Sequence, residues 1–165
     1  MEKKKINTTK IVRELIEWLK AFLAALILVL ITMQFVLVAK IDGRSMDPYL
    51  VDGQHVVTMR RFTELERDDV IAFDFVNEDG TDEFHVKRII GVPGDKVTMS
   101  GEQIYVNDEL VIGNTKVDRG DASYELSDTQ YFVVGDNYEI SLDSRIHGPI
   151  EEDTILGEVV IKLPF

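Results

Sequence analysis

From Ala21 to Ala39 the chain runs 19 residues without a charge, AFLAALILVLITMQFVLVA. At about 1.5 Å per helical residue, such a run is long enough to cross a bilayer core of roughly 30 Å. Thr32 and Gln34 are its only polar interruptions, and a helix whose backbone is already hydrogen-bonded tolerates both. The apolar core of a cleaved signal sequence is shorter, about 7–15 residues, and is followed by small residues at the cut. Here Leu37 stands where a small residue is required two places before Ala39. No amphipathic period runs through the stretch, which argues against a helix packed on a soluble core. The pattern predicts an uncleaved membrane helix over 21–39, ending near Val38 to Lys40. Residues 1–20 read as a basic, amphipathic lead-in. Ile11, Leu15, Trp18 and Leu19 recur there at helical spacing, with Trp18 at the membrane interface.

After Lys40 the period changes from helix to strand. Short β-rich runs cover His55–Met59, Val70–Val76 and Phe84–Val92, the last stopped by Pro93-Gly94. Residues 96–99 and 103–106 read as a hairpin about Ser100-Gly101-Glu102. Tyr131–Val134 and Leu156–Leu163 supply two more strands. Residues 112–130 are polar and weakly patterned and read as a surface excursion. No segment of 40–165 carries a long helical pattern. The expectation is one mainly β domain of many short strands, a partly closed, coiled sheet behind one N-terminal transmembrane helix.

Charge orients this arrangement. Six basic and three acidic residues precede Ala21, a charge of +3, while the whole chain is −12. Lysine- and arginine-rich flanks stay in the cytoplasm, so the N-terminus is placed inside and the acidic domain outside. An acidic domain argues against nucleic-acid binding, since phosphates demand a positive face. There are no cysteines, which excludes disulfides and thiolate metal sites.

Three polar islands then stand out. The first is Gly43-Arg44-Ser45-Met46-Asp47-Pro48, about six residues past the apolar run. Glycine and proline make it a turn, and by itself Ser45 reads as an ordinary turn serine. A serine hydroxyl is a poor nucleophile until a base takes its proton. The second island, from His85 to Asp95, holds two candidate bases, His85 and Lys87, two apart and so on one face of a strand. A Ser-His-Asp triad and a Ser-Lys pair both remain open at this point. A lysine base must be neutral. Burial among apolar neighbours such as Val86, Ile89 and Ile90 lowers a lysine pKa by penalising the charged form. The third island, Gly135 to Arg145, packs Asp136, Asn137, Ser141, Asp143, Ser144 and Arg145 into eleven positions. Its bland reading is a surface loop with a local Asp-Arg pair. Its spacing does not fit an EF-hand calcium loop.

Gly-x-Ser-Met-x-Pro, then Lys-Arg-x-x-Gly-x-Pro-Gly-Asp, then Gly-Asp-Asn-x-x-x-Ser-x-Asp-Ser-Arg, in that order behind one anchor, resembles the bacterial type I signal peptidases, in their short Gram-positive form. The likeness runs from about residue 18 to the end. It implies a membrane-bound serine endopeptidase with a Ser-Lys dyad: Ser45 as nucleophile and Lys87 as general base. Ser141 matches a serine that hydrogen-bonds and orients the lysine. Asp143 and Arg145 match a supporting ion pair, and Met46 a residue beside the substrate groove. The Ser45 backbone N–H is expected to stabilise the oxyanion. The resemblance further implies preprotein substrates with small residues, usually alanine, at the first and third places before the cut. It implies a lipid bilayer as surroundings and neither metal nor cofactor. This chain departs from the family pattern at Gly43, where some members place a serine, and at Tyr49, Tyr138, Ile140 and His147. Two rival readings are an assembly chaperone without cleavage and a membrane-anchored relative of self-cleaving repressors. Turnover in trans separates them from a peptidase.

Overall fold

The structure is a computed structural model that describes residues 8–60, 65–76, 80 and 82–164. It divides into two compact units, Met1–Val36 and Leu37–Phe165. The first is one α-helix, α1 (Thr8–Met33). Its stretch Thr9–Met33 is long enough to cross a membrane and contains an apolar window of mean hydropathy 2.2.

Here the apolar run divides in two. The helix stops at Met33, well short of the expected end near Val38 to Lys40, and Val36–Lys40 forms the strand β1. An apolar pattern alone does not separate helix from strand. Val36 and Val38 are β-branched, and β1 finds a neighbour in β2 (His55–Met59), which favours the extended form. Gln34 and Phe35 close the helix end by donating to the Ile31 and Thr32 carbonyls.

The second unit is mainly β. Its remaining strands are β3 (Val70–Val76), β4 (Asp82–Gly91), β5 (Lys96–Ser100), β6 (Gln103–Val106), β7 (Glu109–Ile112), β8 (Ala122–Glu125), β9 (Gln130–Val134), β10 (Ile150–Glu151) and β11 (Ile155–Lys162). One sheet has the order β1-β2-β11-β3-β4-β9-β10, and a second has β7-β6-β5-β8. The only helices described in this unit are the one-turn α2 (Ser144–His147) and a 3-10 turn at Glu152–Thr154.

Strand β9 explains how the two sheets share a core. Its run Tyr131-Phe132-Val133-Val134 has no polar alternation, and all four residues are buried. Tyr131 and Val133 pack with Ile71, Phe73 and Ile89. Phe132 and Val134 point the other way, into a cluster with Val97, Ile104 and Val106 of the second sheet. A strand covered on both faces reads as a continuous apolar run. A third cluster, including Ile41, Met46, Leu50, Val56 and Val86, lies beneath the Ser45 turn.

The second sheet corrects one expectation. Residues 112–130 are not only a surface excursion: Ala122–Glu125 pairs with Lys96–Met99 as β8. It is an edge strand with alternately half-buried and exposed positions, so polar residues suffice on its open face. β7 is a further strand that the sequence pattern did not mark. The turn before it does carry a signal, because Asn107 and Asp108 both have positive φ, 53° and 66°, as a tight hairpin turn of the I′ kind requires.

The sheet register places the second island. β3 and β4 pair without a bulge, Ile71 opposite Lys87 and Phe73 opposite His85. After β4 comes Val92-Pro93-Gly94-Asp95, with Gly94 at φ 84°, a turn with proline and then a positive-φ glycine. Asp95 fastens it, accepting from the Val92 N–H, from Asn107 and from both arms of Arg67.

Candidate active site

The Ser45 turn is built by its backbone. Gly43, at φ 94°, holds a left-handed conformation that a side chain disfavours, and its N–H donates to Asp52. That is a physical reason for glycine where some members of the resembling family place serine. Asp47 N–H then donates to the Arg44 carbonyl and Leu50 N–H to the Met46 carbonyl. Met46 and Leu50 turn inward, almost wholly buried, and pin the turn to the core. Met46 also borders the cavity beside Ser45, so it serves both core and groove wall.

The third island grips the same turn from outside. Asn137 N–H donates to the Ser45 carbonyl at 2.9 Å, and its side-chain amide donates to the Arg44 carbonyl at 3.1 Å. Ser45 Oγ is thereby presented to β4. Lys87 Nζ lies 2.9 Å from it and donates a second hydrogen bond to the Val86 carbonyl at 3.1 Å. Lys87 is 3% exposed. Burial, only partly offset by the charge of Asp143, lowers its pKa from 10.5 to about 8. A lysine so placed loses its proton near neutral pH and can accept one from a hydroxyl within reach.

His85, the other candidate base, points elsewhere. Its Nε2 lies 3.2 Å from Glu83, and its ring packs at a tilt against Phe73 and Phe75. Burial first, and then the charge on Lys87, lowers its pKa. The geometry thus brings together Ser45 and Lys87.

Asp143 and Arg145 form a buried ion pair, Nε to Oδ1 at 2.8 Å. Asp143 also caps α2 and accepts the Gly135 N–H at 3.0 Å. Arg145 continues to the Tyr138 carbonyl, and Ser144 Oγ accepts the Val133 N–H. This fastens the third island to β9. Ser141 differs from its expected place. Its hydroxyl is fully buried without a partner among the described residues, against Gly135, and it does not bond Lys87. The lysine's hydrogen bonds go to Ser45 and Val86.

Several supporting residues escaped sequence reasoning. Arg88 makes a two-armed pair with Asp136 at 2.8 and 2.7 Å and lies over the Tyr49 ring, 4.6 Å from its centroid. Lys162 covers the same ring at 3.9 Å. Tyr49 therefore has two cations over its ring, an arrangement that only pairing in space reveals. Asp136 and Asp143, the two carboxylates of the third island, are each taken up by an arginine. His147 packs on Phe75, ring centroids 4.7 Å apart.

A cavity of about 650 Å³ opens beside Ser45, between residues 40–46 and 83–87, with Ile140 and Leu142 on its rim. Among the described residues β4 pairs with β9 only from Arg88 onward. Its half from Asp82 to Lys87 is paired on the β3 side alone. That leaves a strand edge facing the cavity, of the kind that accepts an extended peptide.

Residues 15–163 match the family described as signal peptidase, peptidase S26. The chain is 35% identical over 179 aligned positions to signal peptidase IB of Staphylococcus aureus, covering 93% of this chain and 92% of that protein. It is 34% identical over 151 positions to signal peptidase I S of Bacillus subtilis, covering 81% and 79%. A crystal structure of a signal peptidase I from Enterococcus faecalis superposes with a TM-score of 0.48 at 23% identity, over 61% of this chain and 100% of that one. The chain belongs to the signal peptidase family, peptidase S26.

Proposed function

We propose that this protein is a membrane-bound serine endopeptidase that removes N-terminal signal peptides from exported preproteins, with Ser45 as nucleophile and Lys87 as general base. The observation that carries the reading is the 2.9 Å approach of Lys87 Nζ to Ser45 Oγ by a lysine whose burial lowers its pKa to about 8. Neutral Lys87 takes the Ser45 proton as Oγ attacks the scissile carbonyl. The tetrahedral oxyanion is stabilised by the Ser45 N–H, which none of the hydrogen bonds shaping the turn engages. The lysine ammonium then returns the proton to the leaving amine, and the mature protein departs. Lys87 next activates a water that hydrolyses the acyl-enzyme.

The supporting roles follow from the contacts. Asn137 and Gly135 set the position of Ser45, while Asp143 and Arg145 set the island that carries them. Ser141 fills the space beneath that turn. The segment of the substrate before the cut lies along the open edge of β4, with its side chains in the cavity beside Met46 and Val86. The apolar helix anchors the enzyme in the bilayer, with its basic N-terminal flank in the cytoplasm and residues 40–165 outside.

The test is cleavage of a preprotein with an Ala-x-Ala site by the full chain in detergent or vesicles. The product N-terminus is sequenced, beside Ser45→Ala and Lys87→Ala. Cleavage after the second alanine by wild type alone supports the reading. Binding without cleavage by folded wild type contradicts it, as an assembly chaperone would behave.

A further inference from the structure

The cavity beside β4 accounts for only one side of the bond that Ser45 attacks. A second cavity, about 590 Å³, lies along the later part of the same turn. Asp47, Pro48 and Val51 form one wall, and Lys116 with Asn137 and Glu139 form another. The two cavities share a single lining residue, Arg44, which immediately precedes the nucleophile. A peptide whose scissile carbonyl is at Ser45 has chain to place on both sides of it. The first has apolar Met46, Phe84, Val86, Ile140 and Leu142 in its lining beside charged Asp42, Glu83 and Lys87. The second sets amides and charges of both signs beside Pro48, Val51 and Tyr138, so it can meet charged residues at the start of an exported chain.

We propose that this second cavity binds the first residues after the cut and, through ion pairs of both signs, accepts either charge there. The inference rests on the peptidase reading of Ser45 and Lys87. Its charged groups are arranged for exchange. Lys116 and Glu139 meet at 2.8 Å but are 69% and 52% exposed. Arg44 meets Asp47 at 2.8 Å, with Arg44 71% and Asp47 20% exposed, so the arginine is the freer partner. Exposed pairs of this kind are held weakly, so a substrate charge replaces one partner at little loss. A substrate carboxylate finds Lys116 or Arg44, and a substrate ammonium finds Glu139 or Asp47. Balanced walls tolerate either sign. Removing the balance must create a preference.

The experiment uses the full chain and one preprotein with a fixed signal peptide and cut site. Its second and third residues after the cut are both Glu, both Gln or both Lys. Glu139→Lys is expected to raise the ratio of kcat/KM for the Glu substrate over the Lys substrate about tenfold, chiefly through KM, and Lys116→Glu to lower it as much. The double variant Lys116→Glu/Glu139→Lys restores the wild-type ratio. Equal ratios in all four active proteins overturn the inference and leave the peptidase reading intact. So does a uniform loss on all three substrates that the double variant rescues, since that marks the pair as a strap. Failure of folded wild type to cut any of the three overturns both.

Discussion

The carbonyl oxygen of Ser45 lies so close to Gly135 that a Cβ on the glycine would sit 2.5 Å from it. The same Cβ would press on the buried Ser141 side chain. One residue of the third island thus fixes the height of the nucleophile turn over Lys87. Since the obstacle is backbone, Gly135→Ala must move Ser45 itself. Displacements of about 1 Å at a reacting group are worth about 10²-fold, and overpacking destabilises by roughly 1–3 kcal/mol. We expect Gly135→Ala to lose about 10²-fold in kcat/KM with a modest fall in Tm, read by peptide cleavage and thermal unfolding.

Lys87 is built for chemistry at the expense of stability. In the unfolded chain it keeps its proton to about 10.5, in the folded chain only to about 8. Between those values the unfolded state binds more protons, so stability rises with pH. Below about 8 the full penalty for burying the charge is present, about 3 kcal/mol at roughly 1.4 kcal/mol per unit. Lys87→Met, of similar length and apolar, should therefore be inactive yet more stable at pH 7, by up to about 3 kcal/mol. The gain should vanish above about pH 10.5, where both states are neutral. Denaturant unfolding at the two pH values measures it.

The Asp143–Arg145 pair is almost fully buried, so breaking it strands a charge. Arg145→Met should destabilise by about 3–5 kcal/mol, and Asp143→Asn with Arg145→Met should recover much of that loss. The same change tests the link to catalysis. The Asp143 charge already raises the Lys87 pKa, and without Arg145 that effect grows. The activity of Arg145→Met should rise with pH at higher values than wild type.

The legible part of this protein is the part whose signal is local. The three islands stand out by residue type, and β2 to β6, β9 and β11 by alternation or apolar run. Ser45, Lys87, Asp143 and Arg145 could all be named from those motifs. What escaped was set by partners distant in sequence. The break at Met33 depends on β1 finding β2, and β8 on an edge of β5 that no local pattern announces. Tyr49 departs from the motif, and its contacts with Arg88 and Lys162 are visible only in space. The motif assigns Ser141 to the lysine, but its buried hydroxyl has no hydrogen-bond partner among the described residues.

The central claim is that Lys87, and not His85, takes the proton from Ser45. The pH dependence of kcat/KM for a preprotein with a fixed cut site tests it most directly, on wild type and His85→Gln. The account predicts that activity rises with pH to a plateau with a midpoint near 8 in both proteins, as burial of Lys87 requires. A midpoint below the ordinary histidine value of about 6.5, abolished together with activity in His85→Gln, would contradict it and make the histidine the base.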